Sequence, residues 1–112
     1  MKRIAYADAV VGTDGEVAAL VLDYAARLAR LGRADTVRIL ALPEGGRLQE
    51  VSLLLGPSSQ ITVYEDDEPF EGDAAPAVAE LRRRIASLEL PIPASDGPGL
   101  ADPDDDAALP TG

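Results

Sequence analysis

From Val17 to Leu31 the large apolar residues fall at Val17, Leu20, Val21, Tyr24, Leu28 and Leu31. Steps of three and four gather such side chains on one stripe of an α-helix, and a stripe of this kind faces a core. Asp23, Arg27 and Arg30 lie mainly on the other side, with Asp23 four residues ahead of Arg27 in the order that favours an ion pair. Thr13-Asp14-Gly15-Glu16 has the form of a capping box, in which Thr13 accepts from the Glu16 amide and the Glu16 carboxylate reaches back. Gly32 stands where a left-handed residue closes a helix. The pattern predicts a helix over residues 14–31.

Before this helix, Arg3-Ile4-Ala5-Tyr6 and Ala9-Val10-Val11 are two short β-compatible pieces, either joined as a hairpin by a turn at Ala7-Asp8, the favoured reading, or fused into one strand. After it, Thr36 to Leu42 alternates, with Val37, Ile39 and Ala41 on one face. Pro43-Glu44-Gly45-Gly46 then turns the chain into a returning strand, Leu48 to Leu55, whose more apolar face carries Val51, Leu53 and Leu55. Gly56-Pro57-Ser58-Ser59 breaks the run, and Gln60 to Tyr64 reads as a further strand. Asp73 is placed to cap a second helix with Pro76 in its first turn and an apolar stripe of Val78, Leu81, Ile85 and Leu88.

The order β, α, β, β, β, α with short connections predicts an α+β domain over residues 1–93: a small antiparallel sheet of three to five strands with two helices packed on one face. Residues 94–112 are dominated by Pro, Gly, Asp and Ala and cannot offset the entropy of ordering them, so a disordered acidic tail is expected there. Leu40 and Leu54 put apolar surface on the second face of the hairpin as well, which calls for a cover, and a homodimer is the simplest one.

Charge sharpens the picture by its placement. The formal net charge is −10, yet residues 1–64 hold seven basic and seven acidic side chains. The excess comes from the segment Glu65 to Asp73 and from the tail. Without a basic patch to release counterions, nucleic acid is not an expected partner, whereas a basic protein partner fits. No apolar run is long enough to span a membrane and no signal peptide opens the chain, so a cytoplasmic protein is expected.

The 112 residues include no His and no Cys. Imidazole-based triads, histidine or cysteine metal sites and thiolate chemistry are therefore excluded. The residue pattern calls for no cofactor. Two loops keep candidate chemistry. Ser58, Ser59 and Gln60 form the most distinctive polar segment and could hold a ligand, although a turn between strands accounts for them. Glu65, Asp66, Asp67 and Glu68, next to Tyr64, could offer oxygens to a hard cation if the loop folded round it; as an exposed run they read as a solvated loop. Arg82, Arg83 and Arg84 are expected to pair with Glu80 on the polar side of the second helix.

The segments Arg3-Ile4-Ala5-Tyr6-Ala7-Asp8, Leu22-Asp23-Tyr24-Ala25, Asp35-Thr36-Val37 and Leu54-Leu55-Gly56-Pro57-Ser58-Ser59-Gln60 resemble those of small hypothetical proteins of actinobacteria over residues 3–64. The resemblance implies an origin that agrees with the arginine-rich composition, and it implies no particular activity.

Taken together, these features predict a non-catalytic protein-interaction or regulatory module that acts as a homodimer. A small-ligand or cation-dependent enzyme working through carboxylates is the first alternative, and an acidic inhibitor or immunity-type protein is the second.

Overall fold

The computed structural model describes residues 1–89. The tail expected over residues 94–112 lies outside them. The elements follow the chain as β1 (Lys2–Tyr6), β2 (Ala9–Thr13), α1 (Gly15–Arg30), β3 (Asp35–Pro43), β4 (Gln49–Leu55), β5 (Ile61–Glu65) and α2 (Ala75–Leu88). The five strands form one antiparallel sheet in the order β4-β3-β2-β1-β5, so the fold is α+β.

Alternation decides what each strand buries. Ile4, Val11, Val37, Ile39, Ala41, Leu53 and Leu55 all point to the face that carries the helices and are buried there. From α1 come Val17, Ala18, Val21, Tyr24, Ala25 and Leu28, and from α2 come Leu81 and Ile85. The core is aliphatic, closed on one side by the hydroxyl-bearing ring of Tyr24.

The joint between β2 and β3 is short. Only Val11 and Gly12 pair with Pro43 and Leu42, whereas β3 pairs with β4 from Asp35 to Ala41. Two further carbonyls on the β2-facing edge of β3 are met by side chains. Thr13 donates its hydroxyl to the Leu40 carbonyl at 2.9 Å, and Arg84 of α2 donates to the Thr36 carbonyl at 3.0 Å. The sheet coils far enough that Tyr6 at the end of β1 reaches the Leu54 carbonyl of β4 at 2.5 Å.

The capping expected of Thr13 is performed by Asp14, whose Oδ2 accepts from the amides of Glu16 and Val17 at 2.9 and 3.2 Å. Thr13 belongs to β2 and is fully buried, and its hydroxyl is engaged with Leu40. Gly32 at φ 65° closes α1 as expected, with its amide bonding to Ala29 and that of Arg33 to Leu28. Leu31, placed on the core stripe by its spacing, lies beyond the last helical turn and is exposed. The second helix begins at Ala75, and Asp73 accepts from the Ala75 amide at 3.1 Å from one residue outside the N-cap.

Candidate functional site

The two loops with candidate chemistry sit at opposite ends of β5. Ser58, Ser59 and Gln60 precede its first residue, Ile61, and Asp66, Asp67 and Glu68 follow its last, Glu65. At a rise of about 3.3 Å per residue the strand holds them roughly 20 Å apart.

At the first end the turn is built from its own hydroxyl. Ser59 Oγ accepts from the Gly56 amide at 3.1 Å and donates to the Leu54 carbonyl at 2.9 Å. Its proton and an acceptor site are both used in holding β4 to the turn. Ser58 and Gln60 line a shallow depression of about 300 Å³ with Tyr6, Ala7 and Leu54. Ala7 sits at φ 54° in the β1–β2 turn, where glycine is the usual occupant because two-residue hairpins need a left-handed residue to match the strand twist.

At the second end Glu65, Asp67 and Glu68 are exposed, as expected of a solvated loop, while Asp66 is partly buried and paired. Arg3 donates from Nε to Asp66 Oδ2 at 2.6 Å and from Nη2 to Glu68 Oε1 at 3.3 Å. The amide of Asp66 bonds to the Met1 carbonyl at 3.0 Å, continuing the β1–β5 ladder. Asp66 Oδ1 accepts from the Glu68 amide at 2.8 Å. That amide bond, followed by the bond from Arg3, holds the Asp66 carboxyl below the usual range against a smaller opposing effect of burial. Glu65 lies 3.5 Å from Lys2, and Asp67 is exposed.

Arg3 already supplies positive charge beside Asp66 and Glu68. Among the described residues no group of three or more carboxylates converges as a metal site. Tyr64 lies on the sheet face away from the helices, at 47% exposure.

Past the acidic run the chain crosses the sheet's outer face toward α2. Gly72 passes so close to β3 that a Cβ on it would stand 2.5 Å from Leu40 Cδ2 and 2.9 Å from Phe70 Cζ. Leu40, for which the sequence pattern calls for a partner chain as cover, is therefore covered by this one. Leu54 is not, and remains 55% exposed.

A third polar cluster had no signature in the sequence. Asp35 Oδ2 accepts from the Tyr24 hydroxyl at 2.6 Å and from Arg84 Nη1 at 2.6 Å, while Oδ1 accepts from the Thr36 amide at 2.9 Å. Arg84 also donates to Glu80 at 2.6 Å, as Arg83 does, whereas Arg82 pairs with Glu16 of α1. Burial, and then the bond to Asp35, push the Tyr24 hydroxyl above the usual tyrosine range. It stays protonated at neutral pH and is a poor base or nucleophile. The cluster ties α1, β3 and α2 together.

Comparison of the chain with protein families, with curated proteins and with solved structures finds no match. Among the described residues no helix is long and apolar enough to cross a membrane.

Proposed function

We propose that this chain is a non-catalytic protein-interaction or regulatory module that works in the cytoplasm as a homodimer. The observation that carries the reading is the separation of its two chemically distinctive loops to opposite ends of β5, with Ser59 and Asp66 each engaged in bonds internal to the fold. An enzyme needs such groups brought to one point around a substrate. The described surface also carries exposed apolar side chains: Leu54 at 55%, Leu31 at 52% and Tyr64 at 47% exposure. Side chains of this kind lose water favourably when a second protein covers them.

Light scattering or sedimentation across micromolar concentrations tests the assembly, and a dimer mass is expected. A strict monomer over that range removes the homodimer. Thermal melts with and without Mg²⁺, Ca²⁺ and Mn²⁺ test the competing enzyme reading, because an ion that binds only the folded chain must raise the midpoint. No shift is expected.

A further inference from the structure

Among the described residues the β4 strand is an open edge of the sheet, and the direction of its free backbone groups follows from the hydrogen bonds. The two-residue hairpin makes Tyr6 and Ala9 a hydrogen-bonded pair, so on β2 the groups of Val10 and Gly12 face β3. The Glu44 amide accordingly bonds to the Val10 carbonyl at 3.1 Å. Even-numbered residues of β3 therefore face β2 and odd-numbered ones face β4. On β4, Gln49, Val51, Leu53 and Leu55 face β3, which turns the amides and carbonyls of Glu50, Ser52 and Leu54 outward. The Leu54 carbonyl, taken by Tyr6 and Ser59, agrees with this assignment.

Edges of this kind are normally blunted by Lys, Pro, a bulge or inward charge. The β4 sequence, Gln-Glu-Val-Ser-Leu-Leu-Leu, has no Lys, Pro or Gly and only one charge. It is longer than the other open edge, β5. Leu54 near its end is 55% exposed, and Leu48, one residue ahead of its start, is 40% exposed.

We propose that two copies join edge to edge along β4, antiparallel about a two-fold axis through Val51. This inference rests on the homodimer reading and specifies its interface. In that register Glu50 of each copy stands opposite Ser52 of the other, and their outward amides and carbonyls exchange hydrogen bonds. Val51 meets Val51 across the axis as a non-hydrogen-bonded pair. Leu54 of each copy lies opposite Leu48 of the other, so the exposed leucines cover one another at both ends. The depression lined by Tyr6, Leu54, Ser58 and Gln60 lies beside Leu54, where it receives the second copy's Leu48.

Charge agrees with the same register. Arg38 is the cross-strand neighbour of Ser52 and lies 3.6 Å from its own Glu50. Glu50 of the second copy, opposite Ser52, comes within reach of that Arg38, and no like charges stand opposite each other. A register shifted by one residue would set outward-facing backbone groups against residues that bond to β3, and the inter-copy ladder would be lost.

A single cysteine tests the pairing, since the chain has none of its own. Non-hydrogen-bonded antiparallel pairs have Cα atoms about 4.5 Å apart, within reach of a disulfide. On mild oxidation Val51→Cys is expected to convert most of the dimer to a covalent one on a non-reducing gel, and Val63→Cys, on the open edge of β5, is not. Leu54→Lys, which changes an exposed side chain, is expected to weaken dimerisation at least tenfold with the circular dichroism spectrum unchanged.

Three results would overturn the pairing. If the wild type is a dimer and Val63→Cys links where Val51→Cys does not, this register fails and the homodimer stands. Equal yields from both variants, the mark of random collision, also sink it. If the wild type is a monomer throughout, the pairing and the homodimer reading fall together.

Discussion

The hydroxyl of Tyr24 on α1 donates to Oδ2 of Asp35 at the first residue of β3, 2.6 Å away. Arg84 from α2 donates to the same oxygen at 2.6 Å. One carboxylate therefore fixes two helices to the end of a strand. Burial pushes the Asp35 carboxyl up, but the bonds from Tyr24 and Arg84, the Arg84 charge and the Thr36 amide together outweigh it, and its pKa ends below the ordinary value.

A carboxyl with a depressed folded-state pKa adds stability that is present above its unfolded value, about 3.9, and is lost as pH falls through the folded value. Asp35→Asn should therefore lower stability at neutral pH and flatten the loss of stability in acid. The cost should be about 1–2 kcal/mol, near the low end for charged hydrogen bonds because the group is about a third exposed. Urea unfolding of both proteins from pH 7 down to pH 2 checks both parts; parallel curves would contradict the assignment.

Tyr24 should ionise above the ordinary tyrosine range, since burial and Asp35 both disfavour the phenolate. Asp35→Asn removes the carboxylate's share, so the Tyr24 transition should move downward, although burial keeps part of the shift. Ultraviolet titration of Tyr6→Phe/Tyr64→Phe backgrounds, with and without Asp35→Asn, isolates the transition.

Asp14 and Thr13 should respond in ways that the capping-box reading inverts. Asp14→Ala removes the acceptor for two helix amides and should cost about 1 kcal/mol. Thr13→Val keeps the shape of a fully buried side chain but leaves the Leu40 carbonyl without its donor, which should cost about 1–3 kcal/mol. Equilibrium denaturation of the two variants checks the order; a silent Thr13→Val would contradict the account of the β2–β3 joint.

Leu81→Ala tests whether α2 is part of the core. Leu81 is essentially fully buried, and truncation should cost about 2–5 kcal/mol through lost transfer energy and a cavity. Calorimetry should show one cooperative transition at lower temperature; a second, separate transition would mean that α2 unfolds on its own.

Arg3→Met should free the acidic run. Hydrogen exchange at the Asp66 and Glu68 amides should quicken while the α1 amides keep their protection, because the guanidinium holds the Asp66 and Glu68 side chains and the helix lies elsewhere. Unchanged exchange in the loop would show that the backbone bonds to Met1 suffice.

Elements held by contacts close in sequence were legible from the pattern. The stripe through Val17, Val21, Tyr24 and Leu28 located α1, and the Asp23 to Arg27 pair formed as the spacing requires, at 3.1 Å. Alternation identified the buried faces of β3 and β4. Failures came where a residue's role depends on a distant partner. Thr13 has the chemistry of a cap, but Leu40 of β3 engages its hydroxyl. Among the exposed acids after Tyr64, the pairing of Asp66 was not legible because its cation, Arg3, is more than sixty residues away in the chain.

By itself, the amino-acid order determined that this chain makes an aliphatic α+β body without imidazole or thiol chemistry, since periodicity, turn residues and composition act through near neighbours and through simple presence or absence. Only the tertiary structure decided that the serine turn and the acidic run lie at opposite ends of β5, that the chain covers Leu40 itself, and that β4 is an open edge among the described residues. Those outcomes depend on strand order and on the coil of the sheet, which many-body packing selects and local spacing does not encode.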